Sequence, residues 1–199
     1  MGDLTKNFSA AEFDKPEPVP VEYRGNIPAL ADRCQWLRDL AGSIGEVTDT
    51  YRSAAHNAEI PNAAKSSQHM LAEASDVEFT LCPIRTLAER ALASIADGDN
   101  PPFGQLIFYS VRGHVHVSVP NAALLGSRNG QVLHAYGIDE NGQDLFEPLI
   151  DPETQMPLLS TAQKKRGLGS HYLSSSHSSA RSGGAGNAAH AGGKAHGKE

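Results

Sequence analysis

The sequence predicts an α+β domain, in which helices flank a small antiparallel sheet, followed by a low-complexity C-terminal tail. Apolar residues recur at helical spacing in two long segments, residues 30–41 and 84–95. Apolar and polar residues alternate with a period of two in residues 74–79 and 113–119, which is typical of strands with one buried face. From residue 170 onward Ser, Gly, Ala and His dominate, a composition too polar to form a core.

The N-terminal segment is expected to be a short helix followed by an extended arm. Ser9 and Glu12 form a capping-box pattern, which predicts a helix over about residues 10–14. The stretch PEPVPVEYRG that follows is rich in proline and ends at Gly25. We therefore assign residues 1–25 to an N-terminal helix and arm.

Residues 26–120 have the signals of one α+β core. Its first helix begins after Asn26, with Pro28 in the first turn, and its second begins at Pro83. A weakly alternating segment and a short apolar run supply two further strands. After the N-terminal helix, the predicted order is a helix to residue 42, a strand over 46–52, a loop over 56–65, a strand over 74–79, a helix over 83–97, a strand over 105–109 and a strand over 113–119.

The remaining chain has weaker signals. Residues 121–169 form a C-terminal extension, in which turn signals surround weak apolar runs over 132–157. This pattern predicts either a hairpin or a segment that binds a partner. Residues 170–199 are expected to be disordered or held by a partner.

Composition excludes several classes of protein. The net charge of −6 excludes a nucleic-acid binder, which needs a basic surface. No apolar run reaches the ~20 residues of a membrane span, and no apolar segment near the N-terminus predicts a signal peptide. We therefore expect cytoplasmic synthesis without a signal peptide. Cys34 and Cys82 lie within apolar patterns and are expected to be buried free thiols.

Three polar residues from two strand-like segments could meet at a metal ion. Asp76 lies on the polar face of the 74–79 strand, and His69 lies on the turn that enters it. His116 lies on the polar face of the 113–119 strand, with His114 one pleat away. Two imidazoles, one carboxylate and a water are the ligand set of a catalytic zinc.

These motifs resemble the M15 family of zinc D-Ala-D-Ala carboxypeptidases and peptidoglycan endopeptidases, which share a fold with hedgehog signalling domains. The family signature Ser-x-His-x-x-Gly-x-Ala-x-Asp is matched at Ser67, His69, Ala74 and Asp76, and the segment His-x-Ser is matched at His116 and Ser118. YRSAAHN, over residues 51–57, and LTKNFSAAEF, over residues 4–13, are also similar to family segments. The resemblance covers residues 4–120.

The resemblance implies roles for individual residues. His69, Asp76 and His116 would bind Zn²⁺, and Arg52 would hold the substrate carboxylate through its planar guanidinium. Ser67 and His114 would supply hydrogen bonds to the substrate or transition state. His114 has three alternatives: stabilising an oxyanion, bonding a metal ligand, or replacing the general base. Alternatively, His114 is a solvent-exposed strand residue with no role in catalysis.

The sequence departs from the family pattern at two places. Ala72 stands where the family has glycine, so either a backbone angle or a close approach that alanine resists is expected there. The family's general base is a carboxylate shortly before the His-x-Ser strand, but Tyr109 occupies that position and no carboxylate lies between Gly104 and Pro120. Glu73 and Glu78 are the nearest other carboxylates to the ligands.

Two functions follow as hypotheses. The first is a zinc peptidase that cleaves peptidoglycan stem peptides and reaches them through lysis or in a phage particle. The second is an inactive structural or binding module of the same family, attached to a virion or other protein partner by its C-terminal extension.

Overall fold

A computed structural model describes residues 2–150 of the chain. These residues form one six-stranded sheet, and the two long helices pack against one of its faces. The helices are α1 (Ile27–Ala41), α2 (Ala54–Glu59), α3 (Ile84–Ala96) and α4 (Ala122–Leu125), with 3-10 turns at Ala10–Phe13, Arg24–Asn26, Gln68–Leu71 and Gly126–Arg128. The strands are β1 (Gly45–Asp49), β2 (Ala74–Phe79), β3 (Gln105–Tyr109), β4 (His114–Ser118), β5 (Gln131–Ile138) and β6 (Asp144–Pro148).

The sheet has the strand order β1-β2-β4-β3-β5-β6 and is mixed. The four strands predicted from sequence are antiparallel neighbours, whereas β5 runs parallel to β3. Because β3 and β4 are antiparallel, the C-terminal end of β4 lies next to the N-terminal end of β3. The chain enters β5 from that same end of the strands, so β5 runs parallel to β3. The predicted α+β class is confirmed, and the sheet is larger than predicted.

The core lies between the sheet and helices α1 and α3. Every second residue of the central strands faces these helices, as the period of a strand requires. Cys34 is buried on α1 and Cys82 is buried before α3, and both are free thiols as predicted. The fully buried apolar strand residues on this face are Val77, Leu106, Phe108, Val115, Val117 and Val132.

The second half of the YRSAAHN segment forms α2 rather than the predicted loop. Ser53 caps this helix, because its hydroxyl accepts a hydrogen bond from the N–H of His56 at 3.2 Å. Asn57 is buried and donates to the Ala64 carbonyl at 3.0 Å, which closes the loop that follows the helix. His56 lies in this structural unit, 3.6 Å from Glu17.

The sheet continues beyond residue 120. Strands β5 and β6 are a hairpin joined to the edge of β3, so residues 131–148 extend the same sheet as the metal-ligand strands. The rest of the predicted extension, residues 151–169, and the tail, residues 170–199, lie outside the described residues. In the described part of the chain, none of the helices has the length and apolar character that a bilayer-spanning segment requires.

Candidate metal centre

The three predicted ligands meet on the sheet face that the helices leave uncovered. Asp76 Oδ1 lies 3.0 Å from His116 Nδ1 and 3.5 Å from His69 Nε2, and the two imidazole nitrogens are 3.2 Å apart. Ligand atoms ~2.0 Å from a tetrahedral zinc lie about 3.3 Å from one another. The triangle therefore already has the dimensions of one face of a zinc tetrahedron, with the fourth corner left for water or substrate.

Strand register brings two of the ligands together. Asp76 on β2 and His116 on β4 are directly opposite each other in an antiparallel pair, so their side chains project from the same face. Both side chains are 13% exposed, which leaves the centre partly open to the cleft above it.

A tight turn delivers the third ligand. His69 lies in the 3-10 turn before β2, and the Ser67 hydroxyl caps this turn by accepting from the His69 N–H at 3.3 Å. The turn ends at Ala72, whose φ of 48° and ψ of 39° are left-handed. Glycine adopts these angles more readily than alanine, which explains the glycine that the family pattern has at this position.

A second ring of groups orients the ligands. His69 Nδ1 lies 3.1 Å from Asp49 Oδ1 and 3.2 Å from the Thr50 carbonyl oxygen, which directs the Nε2 lone pair toward the centre. Arg52 donates through Nε to Asp49 Oδ2 at 2.6 Å and through Nη2 to Asp76 Oδ2 at 3.4 Å. Arg52 thus connects Asp76, one candidate ligand, to Asp49, the carboxylate beside His69.

Burial and charge within the cluster shift the pKa of all three candidate ligands. Burial opposes ionisation of His69, but the carboxylates of Asp76 and Asp49 outweigh it and raise the pKa of His69 to about 9. Burial likewise opposes the charged form of Asp76, yet His69 and His116 hold the pKa of that carboxyl well below its usual range. Burial lowers the pKa of His116. The cluster therefore holds Asp76 as a carboxylate and His116 as a neutral imidazole, the forms that bind metals, and the proton on His69 is the one that a metal ion would displace.

His114 lies beside the centre. Its Nε2 is 3.9 Å from Asp76 Oδ2, and its ring stacks on that of Tyr109 with centroids 4.5 Å apart. Tyr109 and His114 face each other across β3 and β4, so the residue at the family's base position holds the imidazole in place. Burial raises the pKa of the Tyr109 phenol, which excludes it as a base near neutral pH.

The two other predicted carboxylates lie apart from this cluster. Glu73 accepts two hydrogen bonds from the Asn121 amide, at 2.9 and 2.7 Å. Glu78 is exposed on β2, opposite His114. The second family motif also has a structural part, because the buried Ser118 hydroxyl accepts from the Gln105 N–H at 2.7 Å.

The centre opens into a cleft of about 560 Å³, within the range typical of ligand sites. Arg52, Ser67 and His114 all line it, so the structure brings every predicted site residue to one place. One wall of the cleft is formed by residues after 110, and no motif in the sequence pointed to it. That wall includes Arg112, Arg128, Asp144 and Phe146. Asp144 accepts from Arg112 Nε at 2.9 and 3.2 Å.

Fold and site together define an α+β protein whose sheet presents, in an open cleft, a His-Asp-His cluster that could hold a metal ion. The sequence profile of the family described as Peptidase M15 matches residues 6–118, more than half of the chain. The chain therefore belongs to the peptidase M15 family. The comparison with curated proteins finds no match. The matched segment contains all three candidate ligands and ends at Ser118, before β5 and β6.

Proposed function

We propose that this protein is a zinc metallopeptidase that cleaves peptidoglycan stem peptides, as a D-Ala-D-Ala carboxypeptidase or an endopeptidase. The observation that carries the proposal is the triangle of His69, Asp76 and His116 ligand atoms, with edges of 3.0 to 3.5 Å, at the base of a cleft. Membership of a peptidase family supplies the reaction class.

The donor set fits Zn²⁺. Two imidazole nitrogens and one carboxylate oxygen are ligands that zinc takes in proteins, and three protein ligands leave one position open, as in catalytic zinc sites. Zinc would bind His69 by displacing its proton. When bound, zinc would polarise the scissile carbonyl and lower the pKa of a water molecule. The chain itself would orient the ligands through Asp49 and Arg52.

His114 is the residue we propose for proton transfer. It lies beside the centre on the cleft wall, and histidine is the side chain most often used for general acid–base catalysis. Stacking on Tyr109 fixes the direction of its Nε2. Ser67 is proposed to hydrogen-bond the substrate as well as to cap the His69 turn.

Cationic groups in the cleft suit a substrate with several carboxylates, as stem peptides have. Arg52, Arg112 and Arg128 line the cleft, where Asp76 and Asp144 are the acidic residues among its described lining. Arg52 Nη1 makes no hydrogen bond within residues 2–150, so it is the atom we propose to bind the substrate carboxylate.

Incubation with defined stem peptides, followed by mass spectrometry of the fragments, tests the proposal. Cleavage is expected with zinc, and it should disappear with a chelator and in His116→Ala. His56→Ala serves as the matched control, because His56 is also a histidine within the matched residues 6–118 but lies outside the centre. Cleavage that continues unchanged in the chelated protein and in His116→Ala would overturn the proposal.

The second candidate is a non-catalytic module that keeps the metal for stability and binds a partner such as a phage particle. The absence of any carboxylate between Gly104 and Pro120 favours it. Tyr109→Glu restores a carboxylate at the family's base position and separates the two functions. If the parent protein binds zinc without cleaving and Tyr109→Glu gains cleavage, the module is the correct function. If the parent cleaves and His114→Ala abolishes it, the enzyme is correct.

A further inference from the structure

A second set of hydrogen-bonded polar side chains lies on the other face of the sheet. Ser110 follows β3, His134 is on β5 and Glu147 is on β6. The Ser110 hydroxyl oxygen lies 2.7 Å from His134 Nε2, and His134 Nδ1 lies 2.9 Å from Glu147 Oε1. Leu133 lines the metal cleft, so its neighbour His134 projects from the opposite face.

Strand pairing aligns the three residues. His134 and Glu147 are direct partners across the antiparallel β5–β6 pair. The N–H of Ser110 donates to the Ala135 carbonyl at 3.1 Å, which extends the parallel pairing of β3 and β5 by one residue. Ser110, His134 and Glu147, here called the relay, are therefore held in place by the backbone hydrogen bonds of three adjacent strands.

Carboxylate, imidazole and hydroxyl stand in the order that activates a serine nucleophile. Glu147 can accept from Nδ1–H, which leaves His134 Nε2 as the acceptor for the Ser110 hydroxyl proton. His134 is only 6% exposed, whereas Ser110 is exposed. The base is thus buried and held, while the nucleophile is accessible to a substrate.

The surroundings offer the two other parts that acyl transfer needs. Ser110 opens the turn between β3 and β4, and within residues 2–150 the N–H groups of Val111 and Arg112 donate to no acceptor, so they are available to an oxyanion. Apolar side chains flank the relay: Val111 is 58% exposed, and the Tyr136 ring, 37% exposed, lies 6.3 Å from the His134 ring.

We propose that Ser110, His134 and Glu147 form a second, metal-independent site that hydrolyses esters with an apolar acyl group. Ser110 Oγ would bond to the ester carbonyl carbon as its proton passes to His134 Nε2. The carbon–alkoxide bond then breaks, and the alcohol leaves with that proton. Water next attacks the acyl-serine, gives a proton to Nε2 and releases the carboxylic acid, as the proton returns to Ser110.

Covalent labelling of the full-length protein with an alkyl fluorophosphonate tests this site. The probe forms an Oγ–phosphorus bond and releases fluoride and a proton, so it reports nucleophile activation directly. With chelator present, peptide mapping should find Ser110 modified ahead of the chain's other serines. His134→Gln should lower the labelling rate by about 10²-fold or more, since it removes the base.

Charge-matched variants sharpen the test. Glu147→Gln should also slow labelling, whereas Glu140→Gln, an equal charge change on the turn between β5 and β6, should not. Hydrolysis of p-nitrophenyl butyrate should be lost in Ser110→Ala, which removes only an exposed hydroxyl and should keep the parent's circular dichroism. Labelling spread evenly over the serines, or a Ser110 rate unchanged in His134→Gln, would overturn the proposal.

Discussion

Zinc should stabilise this protein by an amount that the geometry of the centre allows to be estimated. The three ligand atoms lie 3.0 to 3.5 Å apart, within a few tenths of an ångström of the ~3.3 Å edges of a zinc tetrahedron. Little folding or rearrangement is then required for binding, so nearly all the binding energy adds to stability. At free zinc a thousandfold above Kd, the gain is about 4 kcal/mol.

That free energy converts into a measurable shift in melting temperature. For a domain of about 150 residues, each kcal/mol raises Tm by roughly 2–4 °C, so about 8–16 °C is expected between chelated and zinc-loaded protein. Differential scanning calorimetry measures it, and elemental analysis should find one zinc per chain. His116→Ala should lose most of the shift, because two ligands remain, whereas His56→Ala should keep it.

If zinc leaves Tm unchanged in the parent, or if His116→Ala keeps the full shift, the triangle is not a metal centre. A shift with no stoichiometric zinc would indicate weak binding elsewhere, and the His116→Ala comparison separates that case from binding at the centre.

Three further outcomes are expected. Asp49→Asn should lower zinc affinity about 10–100-fold in a competition titration with a chromophoric chelator, because it removes the negative charge 3.1 Å from His69 Nδ1. An unchanged affinity would contradict this role. Gly104→Ala should lower the free energy of unfolding by about 1–3 kcal/mol in urea titrations, since its Cβ would lie 2.3 Å from the Val119 carbonyl oxygen, and Gly25→Ala, with no atom within 4 Å, should not. Ala72→Gly should change the free energy of unfolding by less than about 1 kcal/mol, because relief of the left-handed alanine offsets the loss of a buried methyl group. Ala72→Val should clearly lower that free energy. A large loss of stability in Ala72→Gly would refute this balance.

The centre could be predicted from sequence because its ligands lie in regular strands and one short motif. The period of two placed Asp76 and His116 on polar faces, and the spacing from His69 placed the third ligand on the entering turn. The left-handed angle of Ala72 was likewise one of the two alternatives expected from its place in the motif. These features depend on local geometry, which the residues themselves specify.

The rest of the site depends on contacts between distant segments, which no local pattern specifies. Arg52 was predicted as a carboxylate anchor, but its ion pairs with Asp49 and Asp76 depend on the bend in β1, where the register shifts after Val47. The weak apolar runs of β5 and β6 gave no evidence that these strands would join β3 and place Asp144 in the cleft.

The pairing of Tyr109 with His114 connects the family's fold to the question of activity. Cross-strand partners share a face of the sheet, so a residue at the base position and one opposite it project toward the same space above Asp76. Where the family has a carboxylate, this chain has a phenol whose pKa is raised by burial, and the residue opposite it is a histidine, the side chain most often used for general acid–base catalysis. In the enzyme that we propose, proton transfer would therefore lie one strand across the sheet, on β4 instead of β3. The three candidate metal ligands come from β2, β4 and the turn before β2, so Tyr109 can be substituted without changing any of them. The proposed metal binding and the proposed peptide cleavage can therefore be tested separately.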